Sequence, residues 1–517
     1  MHMFVRKKRH RSGSTSIIVV DKSNNRFREV KVIGASSDPD ELCRLCQQAK
    51  EWMSSYGGQQ QLDFSCESAL KEQELKEVER VVGNIENILI NGSELLLEKV
   101  YHSIGFSAIK DEVLRHLVIA RVCQPSSKSG TVEYLKSYFD KDLSLDQIYR
   151  YLDKLYSTLQ DKVQCISIDH TRSILGGRIG LVFYDVTTLY FETDKSDTLR
   201  ATGFSKEGRH SNPQVVLGLL VSAGGYPLSY SLFNGSQYEG RTMIPVVEDF
   251  VRRFDLDDFV VVADSGLMNK MNLELLRSAG YKYVIGARIK NENEEIKSWI
   301  LSLEKEEGCF YERNKDHGER LIIGYSSGRA RKDAYNRNKG ISRLEKSYAG
   351  GMITKNSINK RGYNKFLDIG KDVKVSINQA KIAEDSYWDG LKGYLTNTTL
   401  SAEQVYEQYQ GLWVVERAFR VTKGTLDIRP MFHFTEKRIE AHVCICFIAY
   451  KVYKELERVI KKAEINMSVD KVLATAKTIT TLKIRLPRNE DVYYKTMLLT
   501  PRHKAIKKLF EDDFEFG

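Results

Sequence analysis

Residues Gly180–Glu192 read GLVFYDVTTLYFE, an apolar and β-branched run with a single carboxylate, Asp185, set inside it. Length and composition are those of a buried strand. A buried charge without a partner is costly, so Asp185 has to meet a cation, a hydrogen-bond donor or a metal. A second stretch repeats the arrangement: in 258–266, DFVVVADSG, Asp264 ends an apolar run and small, turn-forming residues follow.

Around these two runs the texture is regular. Residues 213–236, PQVVLGLLVSAGGYPLSYSLFNGS, form two strands about a Gly-Gly turn. RTMIPVVEDFVRRF (241–254) and NKMNLELLRSAG (269–280) have helical spacing, the second closed by Gly280. YKYVIGARI (281–289) is a further strand. Strand, hairpin, helix, strand, helix, strand specifies an α/β mixed sheet. If the strands carrying Asp185 and Asp264 lie side by side and end together, their carboxylates repel unless a cation intervenes. Such hard oxygen donors suit Mg²⁺ or Mn²⁺.

A third acid stands further on. After the strand WDGLKGYLTNT (388–398), residues 400–424, LSAEQVYEQYQGLWVVERAFRVTKG, specify one long helix opened by a Ser401/Gln404 capping box. Tyr409, Glu416 and Lys423 are spaced seven apart, so they share a stripe with steps of about 10 Å. Trp413 and Phe419 are expected to anchor the helix to the sheet. Each acid has a structural alternative: Asp185 caps a turn, Asp264 caps the following helix, Glu416 pairs with Arg420 one turn on. Three acids in this order on these elements favour a common site.

These residues carry a resemblance. The chain resembles the DDE transposases of bacterial insertion sequences, in particular the group whose third acid lies in a Tyr-x2-Arg-x3-Glu-x6-Lys signature. Here that pattern reads Tyr409, Leu412, Glu416 and Lys423, with leucine at the arginine position; Arg417 and Arg420 are the substitutes at hand for its phosphate contact. The resemblance covers roughly residues 95 to 460. It implies an RNase H-like mixed sheet flanked by helices and interrupted by a β-rich insertion, with a mainly helical N-terminal region. It implies a catalytic and metal-binding triad of Asp185, Asp264 and Glu416 holding two Mg²⁺ (or Mn²⁺) ions, and DNA contacts from Tyr409, Lys423, Arg417 and Arg420. The expected reaction is strand cleavage at the inverted repeats of a mobile element and transfer into target DNA, by a homodimer once two ends are bound. In relatives an insertion tryptophan stacks on a flipped base; Trp299 and Trp388 border that region here.

Charge supports a nucleic-acid partner. The net charge is +10, and between Tyr311 and Ile382 there are 17 Lys and Arg against 7 Asp and Glu, so this window holds the whole excess. It falls between Asp264 and Glu416, where the family places its insertion, and is read as a phosphate-backbone surface.

The organisation expected is 1–80, a hairpin and helix; 81–175, a helical DNA-binding or dimerisation region; 176–290 and 386–460, the two parts of the catalytic domain; 291–385, the basic β-rich insertion; and 461–517, a C-terminal region. Eight scattered cysteines form no disulfide framework, and the lone Cys43-x2-Cys46 pair lacks a second half for zinc. AHVCICFIAY (441–450) is packed core. His433 and His442 are not at metal spacing, and GGRIG (176–180) lacks the ending of a P-loop. No apolar run reaches membrane length and no signal peptide is apparent, which places the protein in a prokaryotic cytoplasm with the nucleoid. The competing readings are a non-transposing RNase H-like nuclease and a transposase-derived DNA-binding protein without activity.

Overall fold

A computed structural model describes residues 3–23, 26–56, 64–205, 208–254, 258–267, 269–350, 362–369, 375–486, 491–511 and 514–516. The chain divides into two compact units, residues 1–86 with 484–492, and residues 87–483 with 493–517.

In the first unit, β1 (Met3–Arg9), β2 (Thr15–Asp21) and β3 (Arg28–Ser36) form an antiparallel meander, and α1 (Pro39–Ser55) packs on it. Asp38 caps α1 and Pro39 starts it, where a missing N–H costs nothing. Ile17, Val19 and Ala49 form the core, with the Cys46 side chain against it. Helix α2 (Phe64–Gly83) follows in sequence, and strand β4 (Ile85–Leu89) spans the boundary between the units.

The second unit opens with five helices: α3 (Gly92–Ser103), α4 (Glu112–Cys123), α5 (Lys128–Phe139), α6 (Leu145–Thr158) and α7 (Gln160–Ile174). A Ser144/Gln147 capping box starts α6. The sheet follows. In chain order it contains β5 (Leu181–Tyr190), β6 (Gln214–Ser222), β7 (Pro227–Asn234), α8 (Met243–Phe254), β8 (Val260–Ala263), α9 (Lys270–Ser278) and β9 (Lys282–Ala287). The segment after it holds α10 (Glu294–Ser302), β10 (Phe310–Asn314), β11 (Arg320–Tyr325), α11 (Ser327–Ala349), the short pair β12 (Leu367–Ile369) and β13 (Val375–Ile377), and α12 (Gln379–Ser386). The sheet is completed by β14 (Leu391–Thr396). Then come α13 (Ala402–Gln410), α14 (Trp413–Arg420) and α15 (Glu436–Lys462).

Eight strands join in the order β10-β11-β14-β9-β8-β5-β6-β7. Strands β5, β6 and β7 are antiparallel neighbours, whereas β8 and β9 run parallel to β5 on its other side. Five strands arranged so, three antiparallel and two added in parallel through helical crossovers, are the RNase H-like topology expected from the sequence. Among the described residues of segment 291–385 there are four strands, and two of them, β10 and β11, extend this sheet beyond β14. The longest described element of the segment is the helix α11, which carries seven Lys and Arg against two acids.

The sheet separates two cores, and strand alternation allots the side chains. Val182, Tyr184 and Val186 of β5 lie with the residues of α8 and α9, while Phe183 and Leu189 lie with those of α14 and α15. Helix α15 is buried along most of its length and carries the AHVCICFIAY segment; α3, α4, α6 and α7 pack around it. Among the described residues no helix is long and apolar enough to cross a membrane.

The single helix expected over 400–424 is interrupted. The Ser401/Gln404 capping box is present, but α13 ends at Gln410 and α14 begins at Trp413. The break falls where Gly411 rests on the Phe183 ring, too close for any side chain. After Arg420 the chain widens into a π-helical turn, Val421–Thr425, which carries Lys423. Such turns are rare and concentrate at functional sites.

Candidate active site

Asp185 and Asp264 are brought to adjacent positions by register. Strands β5 and β8 pair in parallel with Tyr184 opposite Ala263, so the next residue on each is the aspartate. Adjacent strands lie about 4.8 Å apart. Alternation sends both side chains to one face: Asp185 shares the side of Phe183 and Leu189, and Asp264 that of Val262, all in the core beneath α14 and α15. Asp185 is half-buried, with its Oδ1 2.8 Å from the Val186 amide; Asp264 is exposed.

Strand β9 continues the row. Ala263 pairs with Ile285, which sets Gly286 beside Asp264. On this glycine lies Tyr409, buried at the end of α13, whose hydroxyl donates to Asp264 Oδ1 at 2.6 Å. A Cβ on residue 286 would stand 2.5 Å from that hydroxyl and 3.0 Å from the Ser265 amide nitrogen. Although Asp264 is open to solvent on one side, partial desolvation of its carboxyl beneath Tyr409 would by itself raise its pKa. The Tyr409 hydroxyl, the Ser265 and Gly266 amides and the Lys392 ammonium outweigh it and hold Asp264 below the ordinary carboxylate range. Burial and the Asp264 charge push Tyr409 the other way, so it stays a neutral donor.

Two basic residues not anticipated from the sequence complete this wall. Lys392 of β14 stands over the Tyr409 ring at 4.2 Å. Burial lowers its pKa, with the Arg329 guanidinium adding to the effect, while Asp264 and Glu416 oppose it. Both acids are therefore within electrostatic reach of one ammonium. The signal was present in WDGLKGYLTNT, where a lone lysine interrupts a strand as Asp185 interrupts its own. Arg288, just past β9, donates to the carbonyls of Ser265 and Gly266 at 2.8 and 3.1 Å and so fixes the turn that carries Asp264.

The remaining expected residues fall as follows. Glu416 is exposed on α14, a helix packed on β5 and β6. It makes no ion pair with Arg420 among the described residues, and Arg420 is exposed. Arg417 is committed to structure, ion-paired with Glu457 of α15. Lys423 is half-buried on the π-helical turn, and Leu412 is buried between α13 and α14. Among the described residues no three His, Cys, Asp or Glu side chains are gathered closely enough to hold a metal ion as they stand. The adjacent pair still fits Mg²⁺, which is bound through one or two carboxylates and keeps waters and substrate phosphate oxygens as its other ligands.

From Asp264 a cleft of about 710 Å³ opens toward the 291–385 segment. Arg288, Lys290, Arg329, Arg337 and Lys392 line it. Two of its cations are braced by acids: Arg337 grips Asp389 with two bonds of 2.5 and 2.6 Å, and Lys290 reaches Asp385 at 2.7 Å, an acid that Lys365 also meets at 2.7 Å. Both Trp299 and Trp388 pack against the core of Ile296 and Ile300; Trp388 also lines this cleft, and Trp299 has Arg313 over its ring.

The family model described as "Transposase DDE domain" matches residues 177–451, more than half of the chain. The chain belongs to the DDE transposase family. Among solved structures, the piggyBac transposase synaptic complex with hairpin DNA is similar at 10% identity over 76% of this chain and 77% of that one, with a TM-score of 0.38. The Mos1 transposase paired-end complex with the left transposon end is similar at 9% identity over 31% of this chain and 53% of that one, with a TM-score of 0.16. No curated protein matches it. The family match begins just before β5 and ends inside α15, so it takes in all three acids and the cleft.

Proposed function

We propose that this DDE transposase family member cleaves DNA at the inverted repeats of a mobile element and joins the freed 3′-hydroxyl to target DNA, with Asp185, Asp264 and Glu416 as its catalytic acids. The observation that carries the reading is the adjacency of Asp185 and Asp264 on parallel strands, at the mouth of a basic cleft, with Glu416 on the helix covering that face.

Asp185 and Asp264 would hold divalent cations, two Mg²⁺ or Mn²⁺ ions when Glu416 closes on them. A bound pair of ions supplies an activated nucleophile and stabilises the leaving oxygen of an in-line displacement. The chain's own groups prepare that site. Tyr409 keeps Asp264 ionised and aimed, Gly286 makes room for the hydroxyl, and Arg288 holds the turn. Lys392 balances Asp264 and Glu416 until polyanionic DNA and its counter-charge arrive.

The cleft cations and the basic face of α11 would carry the duplex backbone, with Arg420 and Lys423 on the other side of Glu416. Trp388, which lines the cleft close to Lys290, would be the tryptophan that stacks on an unpaired base. A homodimer would bring two ends together, in the prokaryotic cytoplasm at the nucleoid.

The test uses a labelled duplex of the flanking terminal repeat with wild type and Glu416→Gln, in Mg²⁺ or Mn²⁺. A metal-dependent cut at the repeat boundary by wild type alone is the expected result. Binding without a cut by wild type would favour the inactive DNA-binding reading. Hydrolysis with no joining to target would favour the nuclease.

A further inference from the structure

A second basic site lies away from the three acids, at the start of α5. Here QPSSKSG (124–130) leads into the helix, with Ser127 as its N-cap and the Ser127 hydroxyl accepting from the Gly130 amide at 3.1 Å. Lys128, the first residue of α5, is only 6% exposed, and so is Arg121 at the end of α4. Both line a cavity of about 180 Å³ together with His433 and His442. Neither cation is ion-paired with a carboxylate among the described residues. Arg121 donates to the Ser126 carbonyl at 3.1 Å, and the Lys128 ammonium to Nδ1 of His442 at 3.3 Å. With Nδ1 accepting, the Nε2–H of His442 faces the Ile428 carbonyl at 3.4 Å, so this imidazole is neutral and adds no negative charge. The one acid on the lining is Asp427, itself exposed.

This arrangement is unfavourable without an anion. Two cations are buried side by side, and one stands at the positive end of a helix dipole, where a negative group belongs. Burial and the neighbouring Arg121 push the Lys128 ammonium down to about 7, and burial with Lys128 and Arg121 pushes His433 to about 3. An anion in the cavity would reverse every one of these penalties. The volume admits a phosphate group, not a whole nucleotide.

The surroundings indicate which phosphate. One wall is the segment Asp427–His433, which leaves the π-helical turn of Lys423, and its Met431 amide donates to the Tyr190 carbonyl at the end of β5. The cavity is thus tied to the strand of Asp185. At its mouth the lining residue Phe432 is exposed, and Phe434, two residues on, is exposed as well. Exposed aromatics beside buried cations suit a nucleic-acid strand, whose bases stack on rings while its backbone meets the positive charge.

We propose that Arg121, Lys128 and the N-terminus of α5 grip one backbone phosphate of bound DNA, as an anchoring site separate from the carboxylates. The inference rests on the chain being a DNA-acting transposase.

The experiment measures duplex binding by the full chain across a salt series, for wild type, Lys128→Met and Ser129→Glu. Ser129 is exposed on the cavity lining, so its carboxylate variant blocks the site without disturbing the core. Each phosphate contact contributes about 0.9 to the slope of log K against log salt. Both variants should lose about that much slope and bind about tenfold more weakly at low salt. Inorganic phosphate, compared with chloride at equal ionic strength, should raise the melting temperature of wild type and of neither variant. Without phosphate, Lys128→Met should melt no lower than wild type, since it removes an unpaired buried charge. Unchanged slopes and affinities in both variants would overturn the proposal. Stabilisation by phosphate with unchanged DNA binding would assign the cavity to a free phosphate instead and overturn the DNA assignment. Wild type that binds no duplex would overturn the function proposed above as well. If Lys128→Met does not fold, Ser129→Glu decides.

Discussion

Tyr409 and Asp264 are 145 residues apart in sequence and joined by a 2.6 Å hydrogen bond. The bond crosses from the end of α13 to the end of β8, over a glycine whose missing side chain is the space the phenol occupies. It ties the helix that leads to Glu416 to the strand that ends on Asp264. The tyrosine of the family signature therefore acts here on the carboxylate itself, whatever it also offers to DNA.

Gly286→Ala tests that link from the side. Its Cβ would stand 2.5 Å from the Tyr409 hydroxyl, so the ring has to leave Asp264. Residue 286 lies within a strand, so alanine fits the backbone, and the overpacking should cost about 1–3 kcal/mol. Cleavage of a repeat-end duplex should fall at least tenfold while the protein still folds. Tyr409→Phe should lose cleavage to a similar degree at a stability cost of about 1 kcal/mol. A Gly286→Ala protein that cleaves at the wild-type rate would sink the idea; cleavage assays alongside thermal melts read both quantities.

The three acids make a sharper set. Asp185→Asn, Asp264→Asn and Glu416→Gln each preserve shape and remove a charge. Each should abolish strand cleavage, a loss of a thousandfold or more, and leave duplex binding within a few-fold of wild type by mobility shift. Cleavage that survives in any one variant removes that residue from the site.

Much of this fold was legible in the sequence because its strands are buried on both faces. Runs such as GLVFY and FVVVA have no surface alternative, and a carboxylate inside one stands out. The row Asp185, Asp264, Gly286 was only half legible, since a glycine in a strand announces nothing until the phenol lying on it is known. Lys392 was missed for another reason: it is separated from Asp264 by the whole 291–385 segment, and only the antiparallel pairing of β14 with β9 returns it to the site. The break at Gly411 and the π-helical turn at Lys423 were invisible because both stretches keep helical spacing; what interrupts them is the approach of Phe183 in one case and a local widening in the other.

Arg417 and Arg420 look equivalent in the sequence and should behave differently. Arg417 is paired with Glu457 and lies 6.0 Å from the Trp413 ring, so Arg417→Ala should cost about 1 kcal/mol of stability and leave duplex affinity nearly unchanged. Arg420 is exposed and beside Glu416, so Arg420→Ala should weaken binding several-fold with no change in melting temperature. Denaturant unfolding and binding isotherms on the two variants separate the roles. Equal effects of both on DNA would mean that the Glu457 pair opens when DNA binds.

Stability should also depend on pH through a residue outside the site. Burial at the start of α3, with Glu98 adding and Lys141 and Arg115 opposing, raises the Glu94 carboxyl from 4.5 to about 7. Between those values the unfolded chain has lost a proton that the folded chain keeps, so folding is progressively less favourable as pH rises from 4.5 to 7 and the loss levels off above it. The effect should amount to about 1–2 kcal/mol, reduced from the full shift because the group is partly solvated. Glu94→Gln mimics the protonated acid. Its stability should match wild type near pH 4.5 and exceed it at pH 8, as measured by urea unfolding at both values. A variant less stable than wild type at pH 8 would show instead that Glu94 is ionised and well partnered in the folded chain.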